Sequence, residues 1–239
     1  RGFWTPFRIQ SIFLFAVSFA LFANTIGHDY AVDDTLVITK NKLTQQGFDG
    51  IGKIMTTDAF YGFFGEGYKL VAGGRYRPLS IATFAVEESL FDGNPHISHF
   101  INVILYSLTV VLLFYLLSLF FKTKIEKPTQ LSLPFVTALI FAAHPIHTEV
   151  VANIKGRDEI MGLLFSLFTL LMSFRYIQNS KLLYLLAAIL SYVLALLSKE
   201  NPITFLAVVP LAFYCFTKAP IKKYLVVGIP LLIVAVIYV

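Results

Sequence analysis

The feature that most constrains this chain is a succession of long apolar runs separated by short charged turns. They lie roughly at Gln10 to Gly27, His99 to Phe121, Leu131 to Ala143, Ile160 to Ser173, Leu182 to Leu197, Ile203 to Phe216 and Tyr224 to Val239. A helix needs about 20 predominantly apolar residues to cross a hydrocarbon core of about 30 Å, and runs of this kind serve a chain whose solvent is lipid. Of the 239 residues 57% are hydrophobic and 14% charged, whereas soluble domains carry about 25% charged residues. A soluble globule is excluded. So are disorder, which needs low hydrophobicity, and a disulfide scaffold, because Cys215 stands alone in an apolar run, where it reads as packing. The expected fold is all-α: a polytopic membrane helix bundle of about seven spans, forming one module over residues 1–239. The start at Arg1 without Met and the end at Val239 inside an apolar run read as the N-terminal part of a longer chain.

If every run crosses, the charges sort by side. One side holds Arg1, Arg8, Lys122, Lys124, Lys127, Arg175, Lys181, Lys218, Lys222 and Lys223 against Glu126 alone. The other bases and acids, including everything between residues 28 and 98, fall on the opposite side. The positive-inside rule makes the first side cytoplasmic. The net charge of +5 therefore reports orientation, and a nucleic-acid partner, which would require a basic soluble face, is not called for.

Residues 28–98 form the first outer (periplasmic or lumenal) loop. It opens with His28, Asp29, Tyr30, Ala31, Val32, Asp33 and Asp34. Its glycines, Gly62, Gly65, Gly67, Gly73 and Gly74, have no strand-turn-helix frame and read as flexible loop. After Pro78 the dense apolar residues, with polar Glu87 and Glu88, predict a helix lying at the membrane interface. Adjacent carboxylates repel, so keeping both Asp33 and Asp34 ionised calls for cations, and Lys40, Arg75 and Arg77 share the segment. The same pair is also readable as solvated loop acids.

Three further clusters fall on the outer side. His144, Pro145, Ile146, His147, Thr148 and Glu149 close the third run, and Lys155, Gly156, Arg157, Asp158 and Glu159 open the fourth. Ionisable groups at a bundle mouth usually face its interior or a wet cavity. They read as a polar wall for an anionic substrate, as interfacial anchors, or, through His144, His147 and Glu149, as a divalent-metal site, although Pro145 disturbs the helical spacing such a site needs. Lys199 and Glu200 form a short turn on the same side and alone read as an anchor. His96 and His99 could cap the second run.

Taken in order, these motifs resemble a known family. Tyr30 to Asp34, then Tyr76, Arg77, Pro78 and Leu79, then His144 to Glu149 with Lys155 to Glu159, then Ser198, Lys199 and Glu200 are similar to the membrane part of the transmembrane and tetratricopeptide-repeat proteins. These are GT-C glycosyltransferases akin to the protein O-mannosyltransferases, and the resemblance runs from about Phe7 to the end. It implies a GT-C-like bundle that moves a sugar, often mannose, from a polyprenyl- or dolichyl-phosphate carrier to a hydroxyl acceptor, commonly a protein Ser or Thr. The reaction would lie on the outer face of a bacterial inner membrane or of the endoplasmic reticulum membrane. The resemblance makes Asp33 the general base and gives Asp34 an orienting role. No tetratricopeptide repeat is present in these residues.

The residue types suit that chemistry. A carboxylate can take the proton of a hydroxyl acceptor as the sugar bond forms, while a departing lipid phosphate needs positive charge. Arg75, Arg77, His144, His147, Lys155, Arg157 and Lys199, with Glu149, Asp158 and Glu200 among them, are the expected donor-phosphate and substrate-binding set. No cofactor is required on this reading, with a divalent metal at His144, His147 and Glu149 as the alternative. The rival classes are a transporter or flippase, disfavoured because the run interiors carry essentially no charge, a metal-dependent membrane hydrolase, and a structural anchor.

Overall fold

The computed structural model describes residues 5–31, 33–66 and 75–238. Val32, Gly67, Gly73 and Gly74 of the outer-loop motifs, and Arg1 of the basic set, lie outside them. Helices occur at all seven apolar runs. α1 (Pro6–Phe22) continues as a 3-10 turn (Ala23–Gly27), followed by single-turn helices and α2 (Pro78–Phe91). Then come α3 (Pro95–Phe120), α4 (Leu133–Ala143), α5 (His147–Ala152), α6 (Arg157–Asn179), α7 (Leu182–Ser198), α8 (Phe205–Phe216) and α9 (Ile221–Tyr238). Four segments are long and apolar enough to cross a membrane: Pro6–Gly27, Pro95–Phe120, Ile154–Asn179 and Ile221–Tyr238. The other three runs form shorter apolar helices, and α4, with 11 residues, reaches only about 16 Å.

Local sequence explains where the helices start. Thr5, Asn94 and Ser132 cap α1, α3 and α4 through their side-chain oxygens, and Pro6, Pro95 and Pro134 follow in the first turn, where the missing N–H costs nothing. Inside the helices, Ser18, Ser107, Ser118, Ser191 and Ser198 donate to the carbonyl four residues back at 2.6–2.8 Å. Each hydroxyl is thus satisfied within its own helix, as apolar surroundings require.

Two apolar clusters hold the bundle. One joins α1, α3 and α4 through Leu14, Val103, Tyr106, Phe114 and Ala138. The other joins α3, α6, α7, α8 and α9 through Leu116, Phe174, Tyr192, Phe213 and Leu231. α6 is central and packs on both α3 and α7. The ends sort as the alternation of runs predicts. At one end Gln10 donates to the carbonyls of Pro128 and Gln130 at 3.0 and 2.7 Å, and Lys223 to that of Ile177 at 2.7 Å. At the other, Tyr238 donates to the carbonyl of Tyr76 at 2.8 Å, and the outer-loop residues gather.

The outer loop departs from expectation in two places. α2 is not a surface helix with a wet polar face, because Glu87 is buried at 7% exposure while Leu90 and Phe91 are exposed. A buried arginine, described below, draws Glu87 inward. Gly62 lies in an ordered single-turn helix (Tyr61–Phe64), and a Cβ there would fall 1.9 Å from the Asn41 side-chain oxygen. Glycine is needed for that close approach.

Candidate functional site

Three structures meet at the outer end of the bundle: the start of the long loop, the 153–158 turn that begins α6, and the 199–201 turn after α7. Asp34 ties the first to the second. Fully buried, it accepts the backbone N–H of Ala31 through Oδ2 and that of Lys155 through Oδ1, both at 2.8 Å. Burial pushes its carboxyl above the ordinary range, and the two N–H bonds only partly oppose that. Of the cations expected to neutralise the Asp pair, Arg77 is engaged by Asp158 and Glu200 and Arg75 stands over the Phe60 ring. Amide dipoles do the work for Asp34, while Asp33 is exposed.

Arg77 is the centre of the second tie. Its Nη1 donates to Asp158 at 2.7 Å, its Nε to Glu200 Oε2 at 2.8 Å, and its Nη2 to Glu200 Oε1. The fork thus spans two turns that lie 42 residues apart in sequence. Burial would lower the Arg77 pKa, but Glu200 and Asp158 carry it above its ordinary value. Glu200 in turn is held below the usual carboxylate range, the Arg77 pair overcoming partial burial. Lys199 continues the chain of charges: its ammonium pairs with Glu159 and lies 4.0 Å from Asp158. Burial lowers the Lys199 pKa against the pull of Asp158. Arg75, Arg77, Lys155 and Asp158 line one small crevice, in which Arg75 is exposed at the rim, over the Phe60 ring.

Arg157 faces the other way and is wholly enclosed. Its guanidinium pairs with Glu87, donates to Asn102 Oδ1 at 2.7 Å, to Thr83 Oγ1 at 3.0 Å and to the Ser98 carbonyl at 3.0 Å, and stacks on Phe84 at 4.3 Å. Asn102 also donates to the carbonyls of Asn153 and Ile154 at 3.3 and 3.1 Å. This network leaves Arg157 no free donor face for a substrate. It instead sets the register of the turn carrying Lys155 and Asp158.

The two histidines part company. His144 is exposed, and its Nδ1 accepts the Ile146 N–H at 3.2 Å, closing the turn between α4 and α5. His147 packs its ring 4.3 Å from Phe141 and 5.4 Å from Tyr106. Burial first, then His144, holds its pKa below the usual range. His147, Lys199 and Glu159 line a cleft of about 290 Å³. Glu149 is exposed and forms no ion pair among the described residues. Within the described residues no three His, Cys, Asp or Glu side chains are placed to hold a metal ion. His96 bonds the Ile26 carbonyl at 2.8 Å, whereas His99 is buried, with its ring 6.2 Å from that of His28.

Sequence reasoning missed Glu87 and Asn102 as members of this constellation. Asn102 carried the clearest signal, since an amide inside an apolar run must find partners. Glu87 was hidden by its position in a helix that reads as interfacial.

An all-α bundle of apolar helices, closed at one end by buried ion pairs and an exposed carboxylate, is a multi-pass membrane protein with a polar site at its mouth. Its relatives are protein O-mannosyl-transferases. Human protein O-mannosyl-transferase TMTC1 is 34% identical over 151 residues, covering 63% of this chain and 16% of that protein. Mouse TMTC2, of the same name, is 32% identical over 158 residues, covering 65% and 17%, and human TMTC4 is 30% identical over 219 residues, covering 85% and 28%. The resemblance carried by the ordered motifs is thus matched by these relatives, of whose length the chain spans only about a sixth to about a quarter. No family model matches the chain, and no solved structure matches it.

Proposed function

We propose that this chain forms the membrane-embedded catalytic part of a glycosyltransferase that transfers mannose from a polyprenyl-phosphate carrier to a protein hydroxyl. The reaction lies on the lumenal face of the endoplasmic reticulum membrane, with Asp33 as general base. The Asp33 carboxylate takes the proton of the acceptor hydroxyl while the hydroxyl oxygen attacks the anomeric carbon. The bond from that carbon to the phosphate oxygen breaks in the same displacement, with inversion, and its electron pair leaves on the lipid phosphate. Lys199 and Arg77 supply positive charge to the leaving anion.

The observation that carries this reading is the division of labour between neighbours. Asp34 is consumed by two backbone N–H groups, which leaves exposed Asp33 free beside the turn that holds Lys155. A base must be accessible, and of the pair only Asp33 is. The relatives' names support the reaction class.

The test is Asp33→Asn in the full-length protein, assayed for mannose transfer from a polyprenyl-phosphate donor. Loss of roughly 10²–10⁴-fold in rate is expected for a general base. Full transfer by the variant would remove Asp33 from that role.

A further inference from the structure

The cleft beside the ion pairs is bounded by α3, α4, α5, α6 and α8, and it changes character with depth. At its mouth stand His147, Glu159, Lys199 and Asn201, and below them Phe141, Leu163 and Phe205 form apolar walls. Glu159 at the mouth and Ser166 in the depth lie on one helix, about 10 Å apart along its axis. The Ser166 hydroxyl, at 1% exposure, has no hydrogen-bond partner among the described residues. The space itself is measured by the volume of the cleft, about 290 Å³, which the protein does not fill with its own side chains.

The charges at the mouth are unequally held. Lys199 is largely covered, at 11% side-chain exposure, while its partner Glu159 is 41% exposed. An exposed carboxylate on a shielded ammonium is a weak partner, and a phosphate carries more charge and more acceptor oxygens to compete for the same cation. A free phosphate would fill only the mouth. An occupant that also uses the lower cleft must carry an apolar chain.

We infer that this cleft is the carrier-binding groove: Lys199 receives the phosphate of a polyprenyl phosphate, Glu159 is the carboxylate that the phosphate displaces, and the prenyl chain runs down between Phe141, Leu163 and Phe205. The inference rests on the lipid-phosphate donor proposed above and adds where the carrier sits and which residue sets its affinity. No covalent change occurs in the step, which exchanges one anion for another on Lys199.

The test measures binding of geranylgeranyl phosphate, geranylgeraniol and inorganic phosphate to the full-length protein in nanodiscs, alongside mannose transfer. Glu159→Gln removes the competing anion and should tighten geranylgeranyl phosphate by about tenfold, a change of about 1.4 kcal/mol. Lys199→Gln should weaken it by a similar factor. Leu163→Trp fills the lower cleft, and Thr204→Trp narrows its exposed rim without touching the core. Both should weaken the prenyl phosphate and leave inorganic phosphate unchanged. Displacement by inorganic phosphate as effective as by geranylgeranyl phosphate would overturn the groove, leaving a simple anion site. Transfer from the lipid donor with carrier binding untouched by all four variants would overturn the groove and leave the donor reading standing. Neither binding nor transfer in the wild type would overturn both.

Discussion

Asp34 Oδ1 and the backbone N–H of Lys155 are joined by a 2.8 Å hydrogen bond across 121 residues of chain. The bond fastens the start of the outer loop to the start of α6, so Asp33 and the ion-pair turn are held together by a group that itself has no contact with solvent.

Asp34→Asn should therefore destabilise the protein by about 1–3 kcal/mol at neutral pH, because the amide cannot present two acceptors to two N–H donors. The pH profile supplies a second signature. A carboxyl raised by burial contributes stability that is full below its ordinary pKa and is lost as pH rises through the raised value. Chemical denaturation of wild type and variant across that window should show the wild-type loss and a flatter variant.

Removing Glu87 should be among the most damaging single changes. Arg157 is fully buried, and stranding a buried charge costs about 3–5 kcal/mol. Glu87→Ala should lower the melting temperature sharply, and the double variant Glu87→Leu with Arg157→Met should recover much of the loss. A mild Glu87→Ala phenotype would show that the enclosed network is not what holds the 153–158 turn.

The two carboxylates on Arg77 should differ in weight. Asp158 is 6% exposed at its side chain and Glu200 49%, so solvent screens the second pair and not the first. Glu200→Gln should cost less than about 1 kcal/mol, whereas Asp158→Ala should cost about 3–5 kcal/mol. Unfolding free energies of the two variants give the comparison directly.

His147 should be neutral at pH 7. Its pKa is lowered by burial and then by His144, so its contribution to stability is present above the ordinary imidazole pKa and lost as pH falls through the lowered one. Histidine-labelled NMR should find it titrating below the usual range. His144→Ala should raise that value only part of the way, since burial remains, and His147→Phe should remove the acid-side loss of stability.

Much of the architecture was legible before any coordinates. Hydrophobic run length located the helices but not their starts: α3 begins at Pro95, four residues before the apolar run, because Asn94 caps it. The grouping of Arg77, Asp158, Lys199 and Glu200 at one end was readable from the alternation of runs. The inward turn of Glu87 was not, because α2 is apolar enough to suit either a membrane surface or a packed position, and only the neighbour across from it decides. His144 and His147, three residues apart, looked equivalent and are not, since the break at Pro145 gives one to a turn and the other to the cleft.

What the amino-acid sequence determined by itself is the class of molecule, since apolar runs of this length are unstable in water and basic turns sort to one end of a bundle. What tertiary structure alone decided is the fate of each charge. Asp33 and Asp34 are chemically identical neighbours, and so are the guanidinium groups of Arg77 and Arg157. Asp34 is enclosed and Asp33 exposed, and Arg77 and Arg157, both buried, face different carboxylates. Lys155 for Asp34, Asp158 and Glu200 for Arg77, and Glu87 for Arg157 all lie more than 50 residues away, at distances no local pattern encodes. Burial makes an unpaired charge costly, so those distant partners choose which groups are structural and which remain free to act.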